Sequence, residues 1–406
     1  MTEAPRRWAA LAGVLAALPD PVRHAVVPGR LLADVEAVLA GAVVAQRIVV
    51  VSLSTRDAAA LPLLWYGNSP YDLVAAAPIR VEPLPADASV PVYRSGRDDD
   101  ALRAALRHHP APPDLPEARP LEPVAARYLG WNEARSAVSR RAALVSHAAR
   151  TEPAVLAGRL RDPAVLGLPA EGPAGPVLTC ATLHPRQQAP DPAASGVAAL
   201  LRAELLDADA VVVAVDYERL VDGDEPLAAL GSWIAAAHRV LGPDRVTVAV
   251  DGVERSRSTP SNLRAWVVRA CHRRLGLPDG WPDDAVVELR SRAAVALLRK
   301  DERSTGPARV EAELERTGVP RLMARTTAPW AADPLRAGQA AVHRRLSLAV
   351  RDLHRWSAGV LALAERPTER LDPELVLDLE YARRREARLL ARGLSTLASR
   401  VPTVEP

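Results

Sequence analysis

The sequence predicts an α/β protein in which a mostly parallel sheet is flanked by helices, with a helical bundle built from the two ends of the chain. Three observations lead there. Short β-branched runs alternate with amphipathic stretches from Val177 to Lys300, the pattern of a parallel sheet covered by helices. Two of those runs end in an acid, Val215-Asp216 and Val250-Asp251. A stripe at Val342, Leu346, Ala349, Leu353, Trp356, Val360 and Leu363 alternates steps of four and three, which is heptad-like.

Along the chain, residues 1–45 read as helices punctuated by Pro19, Pro21 and Pro28-Gly29, the second running from about Leu31 to Val44. Arg47–Ser52 is a β-branched run suited to a strand buried on both faces. Ile79–Leu84 and Val90–Tyr93 flank a turn-rich Pro85-Ala-Asp-Ala, and the expectation is a hairpin. A proline-rich connector spans 110–123 and a helical stretch follows over Val124–Arg150. Leu166–Pro176 is Gly/Pro-rich and leads into a strand, Val177–Thr182. Then come helix Val197–Leu206, strand Ala210–Val215, helix Pro226–Leu241, strand Val246–Val250, helix Ser261–Leu275, strand Ala285–Leu289 and helix Ala293–Lys300. Pro367 stops the heptad-like helix of Leu335–Glu365, and Asp372-Pro373 opens another, so an antiparallel helical hairpin is expected. The predicted domains are 1–45, N-terminal helices; 46–300, the α/β domain; and 301–406, a helical hairpin packing with the N-terminal helices.

Composition excludes several classes. The 406 residues suffice for one large core or two smaller ones. A formal net charge of +3 demands neither nucleic acid nor an anionic membrane. Two cysteines, Cys180 and Cys271, are too few for a disulfide framework or a cysteine-rich zinc module. Phe is absent, and 51 of the 52 basic residues are arginine. A mechanism that needs a positioned lysine must therefore use Lys300. No stretch reaches the roughly 18 apolar residues of a spanning helix, and Trp8–Leu18 ends at Pro19-Asp20 without a small-residue cleavage site. The expected compartment is the cytoplasm.

Several passages resemble bacterial dynamin-like GTPases, a family with the P-loop GTPase fold. Leu206-Asp-Ala-Asp-Ala-Val-Val-Val-Ala-Val-Asp216 is similar to the strand after switch II, and Asp72-Leu-Val-Ala-Ala-Ala-Pro-Ile-Arg80 to the switch I passage. Val246-Thr-Val-Ala-Val-Asp-Gly-Val-Glu254 stands where the guanine-reading Asn-Lys-x-Asp belongs, and Leu289-Arg-Ser-Arg-Ala-Ala resembles the later Ser-Ala-Arg loop. The likeness covers roughly residues 30–300 in order and spacing. It implies a P-loop GTPase-like sheet in which Arg47–Val51 lies parallel to Ala210–Val215.

At each diagnostic position the chain departs from the family. A P-loop needs glycines to cradle phosphate, a lysine to neutralise it and a hydroxyl to hold Mg²⁺. Here the first strand is followed by Ser52-Leu-Ser-Thr-Arg-Asp57-Ala58-Ala59. Both glycines are gone, Ala58 replaces the lysine, Ala59 replaces the hydroxyl, and Asp57 sets a carboxylate where phosphate would lie. Arg56 cannot enter the tight lysine position without rebuilding the loop. The switch I threonine position reads Ile79, and switch II falls near Thr182-Leu-His-Pro185, with no aspartate. Asp251, Gly252 and Glu254 replace the Asn, Lys and Asp of the base-reading motif. The expectation is a degenerate member that has lost nucleotide chemistry, with no cofactor, serving as a scaffold or regulatory partner. The family's habit of dimerising through the GTPase domain implies a protein partner, an active dynamin-like GTPase or a second copy.

Other readings stay open at this point. Asp216, Asp251 and Glu254 could line a remodelled, metal- or ligand-binding acidic pocket at the carboxyl edge of the sheet. Cys180 with His184, and Cys271 with His272, offer too few ligands for a metal site and read as core cysteines beside histidines. Arg383-Arg-Arg385, between Glu380 and Glu386, reads as a solvated face before it reads as a contact with membrane or nucleic acid. No Gly-x-Ser-x-Gly, His-Glu-x-x-His or strand-following Gly-x-Gly-x-x-Gly is present.

Overall fold

A computed structural model of the chain describes residues 3–18, 27, 30–53, 79–84, 92–94, 144, 164–168, 176–182, 204–223, 226–256, 260–298 and 307–364. The sequence-predicted helix over 124–150, apart from Leu144, and the second arm of the C-terminal hairpin fall outside these residues. The chain divides into two compact units, one of Met1–Val44 with Pro334–Pro406 and one of Ala45–Asp333.

The larger unit is built on an eight-stranded sheet: β1 (Arg47–Ser52), β2 (Ile79–Pro83), β3 (Val92–Arg94), β4 (Ala164–Leu168), β5 (Val177–Thr182), β6 (Ala210–Asp216), β7 (Val246–Asp251) and β8 (Val286–Leu289). Their order across the sheet is β3-β4-β2-β5-β1-β6-β7-β8. Strands β5, β1, β6, β7 and β8 run parallel, while β2 is antiparallel to β5 and β3 antiparallel to β4. β1 lies beside β6 with Ile48 opposite Ala210 and Val51 opposite Val213, the adjacency that a GTPase-like sheet requires. All six residues of β1 are buried, as are the first six of β6 and the first five of β7. Strands covered on both faces must be apolar throughout rather than alternating.

Helices α3 (Tyr217–Asp222), α4 (Pro226–Leu241), α5 (Pro260–Leu275), α6 (Ser291–Leu298), α7 (Pro307–Glu315) and α8 (Val319–Ala332) belong to this unit. In α4, Leu227, Leu230, Ile234, Ala237 and Leu241 recur every three or four residues, and all are buried in the core shared with β6 and β7. α4 approaches α5 so closely that a Cβ on Gly231 would collide with the Leu275 carbonyl oxygen.

The smaller unit packs α1 (Glu3–Ala16) and α2 (Leu31–Leu39) against α9 (Pro334–Ala364). Val342, Leu346, Ala349 and Leu353, the described part of the heptad-like stripe, meet Leu15, Leu31, Val35 and Val38. Within this apolar core sits an ion pair: Arg345, with no exposed surface, donates from Nη1 to Asp34 Oδ2 at 2.9 Å. Two charges withdrawn from water hold one another, so α2 and α9 can meet in only one register without orphaning a charge.

Four expectations are corrected. The helix expected to reach Val44 ends at Leu39. Gly41, at φ 75°, reverses the chain, and the Ala42 and Gly41 N–H groups bond back to Ala37 and Val38, a glycine-terminated cap. Strands β2 and β3 do not form a hairpin, because β4 lies between them, parallel to β2 and antiparallel to β3. β4 overlaps the Gly/Pro-rich passage Leu166–Pro176, where no strand is expected. The α/β unit extends past residue 300 to Asp333. There Arg290 N–H bonds to the Thr317 carbonyl at 2.9 Å, Arg325 donates to Asp284 at 2.6 Å and Gln46 to the Thr326 carbonyl at 2.5 Å.

Two stability measurements follow. Gly318 precedes α8 at φ 78°, and a Cβ there would strike the Glu288 carbonyl oxygen. Gly318→Ala is therefore expected to cost about 1–3 kcal/mol in denaturant unfolding, and a neutral result would refute the close approach. Asp34→Ala is expected to cost about 3–5 kcal/mol, whereas Asp34→Ala with Arg345→Met recovers most of it, since the loss comes from an orphaned charge. Equal losses in both variants would contradict that origin.

Candidate functional site

In an open parallel sheet, ligands settle outside the carboxyl ends of the strands where successive connections leave in opposite directions. Here that position is the end of β1 beside β6: the chain leaves β1 toward β2 and β5, and leaves β6 toward β7. Ser52 closes β1, fully buried, in register with Thr182 of β5 and Ala214 of β6. Asp57, Ala58 and Ala59 fall outside the described residues. Ile79 is the first residue of β2, opposite Cys180 on one side and Ala164 on the other, so its backbone is part of the sheet ladder.

Asp216 and Asp251 end adjacent strands in direct register, yet each carboxylate has its own partners. Asp216 caps α3: Oδ1 accepts the Glu218 N–H at 2.8 Å, the usual bond of an N-cap aspartate. Its Oδ2 accepts from Arg255 Nη2 at 3.0 Å, and Arg255 Nη1 lies 2.7 Å from Glu218 Oε2. Arg255 stands on the short 3-10 turn after β7, entered through Gly252 at φ 79°. A single guanidinium therefore ties the end of β6 and the first turn of α3 to the turn after β7. The hydrogen bond with Glu218, reinforced by Asp216, outweighs partial burial and raises the Arg255 pKa further above its ordinary value.

Asp251 turns the other way. Oδ1 accepts the Ser291 N–H at 3.0 Å, and Oδ2 accepts the Ser291 hydroxyl at 2.5 Å. Ser291 opens α6, so the carboxylate also faces the positive end of that helix. Glu254 is exposed, with no side-chain partner among the described residues. The three acids singled out in the sequence thus divide into a clasp with Arg255, a cap on α6 and a solvated glutamate. Among the described residues no group of three His, Cys, Asp or Glu side chains is placed to hold a metal ion.

Sequence reading missed Arg255, Glu218 and Ser291 as members of this edge. The Asp216-Tyr-Glu218 start of α3 carries a capping signature, whereas the Arg255 pairing arises only when two loops meet. A second polar group was also missed. Arg80 on β2 donates to Glu204 at 2.7 Å, and Thr179 on β5, directly opposite Arg80, donates to the same carboxylate at 2.6 Å. All three are buried, and the pairing joins the antiparallel strand to the segment that precedes β6.

Neither cysteine belongs to a reactive site. Cys180 in β5 and Cys271 in α5 have no exposed surface, and burial pushes each thiol up to about 12. His184 lies outside the described residues. At pH 8 only about one buried thiol in 10⁴ would be thiolate. Native protein is therefore expected to leave both cysteines unlabelled by a disulfide reagent at pH 8 and to release both on unfolding. Because the folded thiols keep protons that unfolded thiols lose, stability falls as pH rises from about 9 toward 12. Cys180→Ala and Cys271→Ala should flatten that slope, and stoichiometric labelling of the folded chain would overturn the assignment.

No known protein-family profile matches the chain, and no curated protein is similar to it. Among solved structures, two of an oligomerised bacterial dynamin pair, described as sensing and tethering membranes at long range, align with TM-scores of 0.41 and 0.38 at 8% identity. Each alignment covers 97% of this chain and 51% of the other, so the chain spans about half the length of those dynamins.

Proposed function

We propose that this chain is a catalytically inactive, dynamin-like pseudo-GTPase that serves as a scaffold or regulatory partner of an active dynamin-like GTPase. The observation that carries the reading is the state of the carboxyl edge. The acids at the ends of β6 and β7 are bound by the chain's own groups, Asp216 by Arg255 and Asp251 by Ser291. In a working GTPase the residue at the Asp251 position reads the base; here it caps α6. The sequence supports the same reading: Ala58 and Ala59 stand where phosphate and Mg²⁺ chemistry needs a lysine and a hydroxyl, and Asp57 opposes phosphate by like charge. What remains is an α/β platform whose carboxyl-edge acids are already partnered, suited to binding another protein.

The test is thermal unfolding with and without GTP, GDP, ATP and Mg²⁺. A ligand at 100 times its Kd stabilises by about 2.7 kcal/mol, which is readily seen as a shifted midpoint. The expected result is no shift with any of them, together with co-purification of a dynamin-like GTPase on co-expression. A Mg²⁺-dependent shift abolished by Asp216→Ala or Asp251→Ala would overturn the reading in favour of a remodelled acidic pocket.

A further inference from the structure

An open groove of about 720 Å³ runs along α5 on the surface of the α/β unit. One wall is the helix itself, with Arg269 and Arg273 one turn apart; the other is the loop before β8, with Asp279 and Asp283. These four side chains are exposed and have no hydrogen-bond or ion-pair partner among the described residues. Leu277 and Val268 are buried beneath them. Arg264 fixes the mouth by donating to the Val286 and Asp283 carbonyls at 2.7 and 2.6 Å and by pairing with Glu288 at 3.1 Å.

The groove is bipolar, and that decides its partner. A nucleic acid or anionic membrane would gain from the two arginines but be repelled by the two aspartates on the facing wall. A two-fold interface, in contrast, has to be self-complementary: whatever one copy presents on one side of the axis meets what the other presents on the opposite side. Cations on one wall and anions on the other, each pair spaced four residues apart, fit that requirement, so that Arg269 and Arg273 of each copy face Asp279 and Asp283 of the other. We propose that this face is a homodimer interface of the chain, formed around α5. It is independent of the carboxyl edge, where β6 and β7 end, and so does not rest on the loss of nucleotide chemistry.

The experiment is sedimentation equilibrium on the full chain and two charge-reversed forms, Arg269→Glu with Arg273→Glu, and Asp279→Arg with Asp283→Arg. Wild type is expected to dimerise below roughly 100 μM at low salt and to weaken as salt screens the exposed pairs. Each reversed form faces like charge with like and should lose at least about tenfold in affinity. An equimolar mixture of the two restores all four pairings and should form a heterodimer. A monomeric wild type at that concentration overturns the proposal, as does a mixture that stays monomeric. The neutral form Arg269→Gln with Arg273→Gln gives a second reading: it should weaken the dimer and its salt dependence together, and an unchanged affinity would also overturn the interface.

Discussion

β1 is hydrogen-bonded on both sides, to β5 from Arg47–Val177 through Ser52–Thr182 and to β6 from Ile48–Ala210 through Ser52–Ala214. With all six residues buried, this double pairing is the constraint on which the larger unit depends. A strand with helices on both faces leaves no side for water, so each backbone group must find its partner in the sheet. Arg47 shows how strictly the amino end is held. Its N–H bonds to Asp209 Oδ2 at 2.9 Å, its carbonyl accepts from the Asp209 N–H at 2.7 Å, and its guanidinium pairs with Asp207. The strand is thereby fixed in register before its carboxyl end reaches the crevice.

That fixed register places Asp216 beside Asp251, two carboxylates on neighbouring strands. Like charges so arranged repel unless each is given a counter-charge or a donor. One solution is a bound cation; another is to supply the donors internally. Arg255 and the Glu218 N–H serve Asp216, and Ser291 serves Asp251. The Arg255 and Ser291 bonds join segments 39 and 40 residues apart in the chain, so they fasten the edge as well as neutralise it. The same contacts occupy acceptor positions on both oxygens of each carboxylate.

Much of this was legible in the sequence wherever one physical signal dominated. From β6 to α6 every element except the six-residue α3 is read to within a residue or two, because β-branched runs and steps of three and four leave little ambiguity. Failures came where the deciding contact was distant or the local signal mixed. Gly41 ended α2 early through a backbone reversal that periodicity does not register. β4 was hidden by Gly167, and β2 and β3 looked like a hairpin because nothing local announces a strand inserted from seventy residues on. α8 carries Pro329 within it and was not read as a helix. At the edge, the acids were visible as strand ends, but their partners Arg255 and Ser291 lie 39 and 40 residues away in the chain. Such pairings follow from the meeting of loops, and a single sequence does not encode them in any short pattern.

The near-exclusive use of arginine has consequences at both levels. A guanidinium keeps its charge when buried and presents planar, multiple donors, whereas an ammonium is a compact point charge. Buried ties therefore suit it: Arg80 with Glu204, Arg47 with Asp207, and Arg345 with Asp34. Arg255 uses two of its nitrogens to bridge Asp216 at the end of β6 and Glu218 in α3. Crowding shows the limit of the strategy, since burial and then repulsion from Arg264 lower the pKa of Arg321 where both lie near Glu288. A chain whose single lysine is Lys300 thus fastens its strands and helices to one another almost entirely through arginine forks.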